Sequence, residues 1–135
     1  EHWYPVDEKY RVTGTFEPFD TEQEVEIPNV LGGTFKMKSP GVVKFKLDGR
    51  DFSLQPVVEN DKELFFIFKD LTAKDETYQA GRFLYTDRPV NGQVVLDFNK
   101  AENPPCAFTQ FATCPLPPPQ NRLDVEIRAG ELKTH

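Results

Sequence analysis

Hydrophobic and polar positions alternate along much of this chain, and the dominant period is two. Val43, Phe45 and Leu47 alternate with Lys44 and Lys46, the pattern of a strand with one buried face. Asp48-Gly49 follows at once. A type I′ turn wants positive φ at both central positions, so this dipeptide predicts a hairpin. Phe52 and Leu54 then form the returning strand, with Pro56-Val57 as its extension. Upstream, Tyr10–Glu17 and Glu24–Val30 read as two strands, Pro28 marking the second as an edge. Thr34–Lys38 reads as another, between turns at Gly32-Gly33 and Pro40-Gly41. Downstream of a turn at Asn60-Asp61, Leu64–Phe68 is a continuous apolar run and predicts a strand buried on both faces. Gln93–Phe98 follows a second hairpin dipeptide, Asn91-Gly92, and Leu123–Arg128 is a short last candidate. No window has helical periodicity over ten residues. Thr72–Gln79 predicts a loop or a single turn.

Short, regularly spaced strands with turns between them predict an all-β fold, mainly antiparallel, barrel-like or sandwich. The 135 residues fit one domain spanning 1–135, and 12 phenylalanines supply much of a core. The chain opens on Glu1 with no signal-like stretch, which predicts the C-terminal part of a longer protein. A net charge of −6 argues against nucleic acid, whose phosphates need clustered Lys and Arg. No stretch approaches the roughly 20 apolar residues of a membrane span, so no membrane insertion by this segment is expected. Two cysteines do not declare an oxidising compartment, and a cytoplasmic location is favoured.

The alternation stops after Asn99. From Asn103 to Asn121 no residue is charged, and the segment holds Pro104, Pro105, Pro115, Pro117, Pro118 and Pro119, six of the 12 prolines. Such a run is too apolar for a solvated tail and too proline-rich for a helix or central strand. It predicts a long irregular segment packed on the sheet, covering an open edge or walling a pocket. Pro115–Pro119 also has the composition of a polyproline II ligand, but its apolar flanks favour packing. Cys106 and Cys114, eight positions apart in this run, have three readings: buried thiols, a disulfide, or metal ligands. The spacing misses the usual zinc pattern and the only histidines are His2 and His135. That absence also argues against cysteine–histidine and serine–histidine–aspartate catalysis. No glycine-rich phosphate loop or dinucleotide fingerprint is present, so no cofactor or metal is expected.

The polar residues bordering apolar sequence are the candidate ligand contacts: Arg82, Asp97, Asn99, Asn103 and Arg122. An arginine at an apolar margin can clamp a carboxylate, either one of its own chain (Asp97, Asp70, Glu76 or Glu131) or that of a ligand. Asp97, Asn99 and Asn103 flank the end of a strand, where such side chains stabilise turns or orient a polar ligand. The favoured function is a domain that binds a small polar or anionic ligand beside residues 103–121, or a purely structural one. The alternative is a histidine-independent hydrolase using carboxylate and arginine, which needs facing acids such as Asp70, Glu76 and Asp97.

Several of these residues carry a family resemblance. Asp97-Phe98-Asn99, Ala101, Asn103–Phe108, Thr113–Pro119, Asn121-Arg122-Leu123, Ile127 and Ala129-Gly130-Glu131, with Tyr4-Pro5, Asp7, Tyr10-Arg11, Thr77-Tyr78 and Gly81-Arg82 upstream, resemble the domain of unknown function 1684 family of bacteria and archaea. The chain departs from that pattern at Glu102, Phe111, Gln120 and Asp124, where the family more often has tyrosine, tyrosine, glutamate and proline. The resemblance implies a framework of positions and no activity.

Overall fold

The computed structural model describes residues 2–108 and 113–134; Phe111 and His135 lie outside the described residues. The fold is mostly antiparallel β, in two sheets. Strands β1 (Arg11–Pro28), β2 (Thr34–Leu47) and β3 (Arg50–Leu54) join β6 (Gln93–Asp97) in a four-stranded sheet of order β3-β2-β1-β6. Strands β4 (Glu63–Phe68) and β5 (Arg82–Asp87) form a second, two-stranded sheet. No closed barrel forms among the described residues; the arrangement is sandwich-like. Thr72–Gln79 supplies one short 3-10 turn, within Leu71–Lys74.

Two pairs of predicted strands are each one long strand. Tyr10–Glu17 and Glu24–Val30 merge in β1, and Thr34–Lys38 and Val43–Leu47 merge in β2 across Pro40-Gly41. The proline that reads as a turn sits where the ladder is interrupted. Pro18 pairs with Gly41 and Gln23 with Ser39, with a register shift between them. A proline lacks the N–H that a ladder requires, and an irregularity is where a strand tolerates it.

That irregularity divides the β1–β2 ribbon into two packing halves. Val43, Phe45 and Leu47 of one half join Leu54, Leu64, Phe66, Phe68, Leu84, Leu96 and Phe98 in the main core. Val25, Ile27, Phe35 and Met37 of the other pack with Val57, Phe65, Ile67 and Phe83 in a second cluster. The β4–β5 pair therefore lies between two apolar clusters, which accounts for a continuous apolar run rather than an alternating one in Leu64–Phe68. Each large side chain buried there contributes roughly 1.5–3 kcal/mol.

Both hairpin dipeptides turn as expected, with Asp48 and Asn91 at φ 52° and 53° and Gly49 and Gly92 at 76°. Their consequences differ. Asp48-Gly49 joins the paired strands β2 and β3. After Asn91-Gly92 only Val90 and Gln93 pair; β5 then runs with β4 and β6 with β1. The second turn passes the chain from one sheet to the other.

Leu123–Arg128 is no regular strand, although its burial alternates as a strand's does. Its first half bonds backbone to backbone, Leu123 N–H donating to the Lys69 carbonyl at 2.7 Å and the Val125 carbonyl accepting from Leu71 N–H at 2.9 Å, and beyond it side chains take over. Ile127 N–H donates to the Asp70 carboxylate at 2.7 Å, and the Ile127 and Ala129 carbonyls accept from the Arg82 guanidinium. Side-chain groups here do what a neighbouring strand would do.

Candidate functional site

Successive side chains on a strand point to opposite faces, and β5 uses both of its faces for polar chemistry. Arg82 lies on the face toward the C-terminal strip and is 1% exposed. Its Nη2 meets Asp70 Oδ1 at 3.1 Å and the Ile127 carbonyl at 3.1 Å. Its Nη1 donates to the Ala129 carbonyl and, at 3.5 Å, to that of Glu131. The Phe68 ring lies 5.4 Å from the guanidinium carbon. Asp70 is closed in turn: Oδ2 accepts from Thr72 N–H at 3.2 Å and Thr72 Oγ1 at 2.7 Å, besides Ile127. Burial pulls the Arg82 pKa down and the Asp70 carboxylate opposes that pull. This network ties the β4–β5 hairpin to residues 127–131. It is the carboxylate clamp expected of Arg82, with Asp70 as partner.

The neighbouring residue fixes the close approach of the proline segment. Gly81 has φ +104°, and a Cβ there would lie 2.6 Å from both the Phe68 carbonyl oxygen and Pro117 Cγ. Asn121, at the far end of the same segment, was not singled out by sequence reasoning. It is 1% exposed, accepts from Gln55 N–H at 2.8 Å, and donates to the carbonyls of Gln55 at 2.9 Å and Ile67 at 3.0 Å. A buried amide that mimics a strand's backbone carries no sequence signal beyond its apolar setting and, here, its place in the family pattern.

The other sequence candidates are dispersed. Asp97 Oδ1 accepts from Asn99 N–H at 3.1 Å and from its Nδ2 at 2.9 Å. Asn99 also exchanges hydrogen bonds with the backbone of Asp7. That pair anchors the N-terminal segment, the turn-stabilising role. Arg122 is exposed, with its backbone bridged to Lys69. Of the five candidate contacts, Asn103 alone lines any of the three clefts described next. Cys106 and Cys114 form a disulfide, with Cα atoms 6.1 Å apart; of the three readings this is the one the structure shows. The acids offered for hydrolysis are engaged: Asp70 by Arg82, Asp97 by Asn99, and Glu76 by Arg128 at 3.2 Å and by the Tyr4 hydroxyl. Among the described residues no group of three His, Cys, Asp or Glu is placed to hold a metal, and no helix is long and apolar enough to cross a membrane.

The largest of these three clefts, about 830 Å³, lies against β1, β2 and β3 and is lined by Thr13, Thr15, Lys44, Lys46, Asp51 and Ser53, together with Val12, Phe45 and Phe52. Its lysines are exposed and paired with Glu17 and Asp51, so it reads as a solvated strand surface. A second, about 450 Å³, is ringed by mixed charges, including Lys9, Asp48, Arg50, Asp124 and Arg128. The third, about 490 Å³, is different in kind. It lies on the second face of β5 and is lined by Phe83, Tyr85, Glu102, Asn103, Pro105 and Phe108.

Its construction follows from pairing. Glu102 bridges Phe83 along the free edge of β5, by hydrogen bonds of 2.8 and 2.9 Å. Phe83 and Tyr85 share a face, and Phe65 supports both, edge-on to Phe83 at 4.9 Å and stacked on Tyr85 at 4.6 Å. Phe108 is 62% exposed at the end of the 3-10 turn Pro105–Ala107, two residues beyond disulfide-bonded Cys106. Asn103 N–H donates to Glu131 Oε1 at 2.8 Å and its Nδ2 to the Leu132 carbonyl at 3.0 Å. Its Oδ1 is buried with no hydrogen-bond partner among the described residues. The Glu102 carboxyl makes no hydrogen bond or ion pair among the described residues; partial burial, then the nearby Glu131 charge, raise its pKa. Burial and then Glu59, Glu102 and Glu63 push the Tyr85 phenol up to about 12.

Fold and site together define a mainly antiparallel β domain with an aromatic, acidic cleft beside its proline-rich segment. The chain belongs to the family described as protein of unknown function (DUF1684), whose model matches residues 2–132. It is similar to the solution structure of an uncharacterised protein from Haloarcula marismortui, at 29% identity and a TM-score of 0.78, over 96% of this chain and 74% of that one. No functionally curated protein matches.

Proposed function

We propose that this protein is a small-ligand-binding domain and that the cleft between β5 and residues 102–108 is its site. The observation that carries the reading is the cleft's make-up: three aromatic side chains and one carboxyl group that has no hydrogen bond or ion pair among the described residues. Apolar walls with a few uncommitted polar atoms are the usual composition of a ligand pocket. Arg82, first considered a ligand contact, serves this site at one remove, because it holds the strip on which Glu131 stands. A fragment screen followed by amide chemical shifts tests the reading. Binders should shift Tyr85, Glu102, Asn103 and Phe108 together. Binders that settle only on the β1–β2–β3 face would overturn it.

A second reading is favoured by one observation: Glu102, with its raised pKa, stands near a second carboxyl, Glu131. Such pairs divide acid and base roles in hydrolases. Turnover of a glycoside and ester panel, lost in Glu102→Gln and Glu131→Gln alike, would support it; no turnover above buffer would remove it.

A further inference from the structure

We propose that the cleft takes a small organic cation, an amine or quaternary ammonium, with its apolar part along Phe83, Tyr85 and Phe108 and its positive end at Glu102. This rests on the ligand-binding reading above and adds the ligand class.

The polar inventory decides the sign of the ligand. No lysine or arginine lines the cleft. Asn103 Nδ2 already donates to the Leu132 carbonyl, whereas its Oδ1 is buried with no partner among the described residues, so the atom left wholly unsatisfied is an acceptor. The Glu102 carboxylate accepts and cannot donate when ionised. Glu131, held by Asn103 N–H, acts on Glu102, and Glu59 and Glu63 act with Glu102 on Tyr85. An anion entering here would meet the Glu102 carboxylate, with the Glu131 charge acting on it, and no cationic side chain in the lining. A cation would relieve their mutual repulsion.

The walls decide what kind of cation. A bare metal ion needs several converging ligands, and none of the described residues form such a group. Aromatic faces attract ammonium groups through the ring quadrupole, and rings arranged about a carboxylate are a recurrent way of holding them. Phe83, Tyr85 and Phe108 supply three rings in one cleft. The arginines that motivated an anionic ligand do not line it: Arg82 is closed off on the opposite face of β5, and Arg122 is exposed elsewhere.

The interaction is coupled to pH. Glu102 feels the Glu131 charge from the C-terminal strip and shares the cleft with Tyr85 of β5, on which Glu59, ahead of β4, and Glu63, at its start, also act. Its raised pKa means that it keeps its proton to higher pH than an ordinary glutamate. A cation binds the ionised form, so affinity falls as pH drops through that raised range.

The test is a titration of the labelled protein with three probes of one shape: phenethylammonium, 2-phenylethanol and 3-phenylpropionate. The expected result is saturable shifts of Tyr85, Glu102 and Phe108 amides by phenethylammonium, with the alcohol about tenfold weaker and the carboxylate weaker still. Glu102→Gln should lose about tenfold for the cation and leave the alcohol unchanged; Phe108→Ala should weaken both. Equal affinity for alcohol and ammonium, or tighter binding of the carboxylate, would overturn the cation inference while leaving the ligand-binding reading intact. So would ammonium binding that Glu102→Gln does not alter. No shift at these amides with any probe, together with a silent fragment screen there, would overturn both.

Discussion

The two faces of β5 show charge used in opposite ways. On one face Arg82 and Asp70 are both buried, and nearly every hydrogen-bonding position they own is filled by Thr72, Ile127, Ala129 or each other. Arg82 Nε is the exception, buried without a partner among the described residues. On the other face, one residue along, Glu102 lines a cleft with three aromatic rings and has no cation or donor among the described residues. A network of opposite charges this nearly closed has little capacity left for a ligand, and its effect is to hold elements together. An open set of like charges costs stability and keeps its capacity for a partner. The same C-terminal strip serves both faces, since its carbonyls meet Arg82 and its Glu131 side chain meets Asn103.

The largest expected effect breaks the closed face. Arg82→Ala leaves Asp70 charged and buried, with three backbone carbonyls short of a donor. Removing one partner of a buried pair costs roughly 3–5 kcal/mol, to be read by chemical denaturation. Arg82→Lys should recover only part of that, because a single ammonium cannot present the forked donors that reach Asp70 and alternate carbonyls. A loss below about 1 kcal/mol, the range of a surface pair, would mean that the network is no clamp.

Next is the contact between β5 and the proline segment. Gly81→Ala meets both a positive φ and the Phe68 carbonyl and Pro117 ring, and should cost about 2 kcal/mol. Unchanged stability would show that Pro117 does not pack as described. Reduction of Cys106–Cys114 should cost about 2 kcal/mol or less, below the roughly 2–3 kcal/mol of the chain-entropy model, since neighbouring prolines already restrict the unfolded chain. It should also weaken binding in the cleft, because Pro105 and Phe108 flank Cys106. Intact mass with and without reductant checks the bond, and a probe titration on the reduced protein checks the coupling. Loss of stability without loss of binding would separate the disulfide from the site.

Much of the closed face was legible in the sequence and little of the open one. Arg82 beside an apolar run signals a clamp, and Asp70 and Glu131 were among its few reachable acids. Pairing periods and turn dipeptides place most strands. They fail at Pro40-Gly41, where a register shift lets a proline sit within a strand, and at Leu123–Arg128, where side chains take over from backbone pairing after Val125. Asn103 was readable as a margin residue. Glu102 stood out only as a departure from the family pattern, because its role depends on lying opposite Phe83, some 20 positions earlier in the chain. Phe83-Leu84-Tyr85 reads as plain apolar sequence; that alternate residues face different clusters depends on the second half of the β1–β2 ribbon folding over β4 and β5.

The smallest effect separates the faces most sharply, because its sign is reversed. Glu102 has a folded-state pKa raised above its ordinary value of 4.5. The folded protein therefore holds its proton more tightly than the unfolded chain does, and ionising Glu102 costs stability. Below the ordinary carboxylate range both states are protonated, and Glu102→Gln should leave stability unchanged. As pH rises through that range and the raised one, the wild type should lose stability that the variant keeps. At neutral pH Glu102→Gln should melt slightly higher than the wild type, while binding phenethylammonium less well. A melting temperature that falls on substitution at every pH would make Glu102 a structural acid like Asp70, and the contrast between the two faces would collapse.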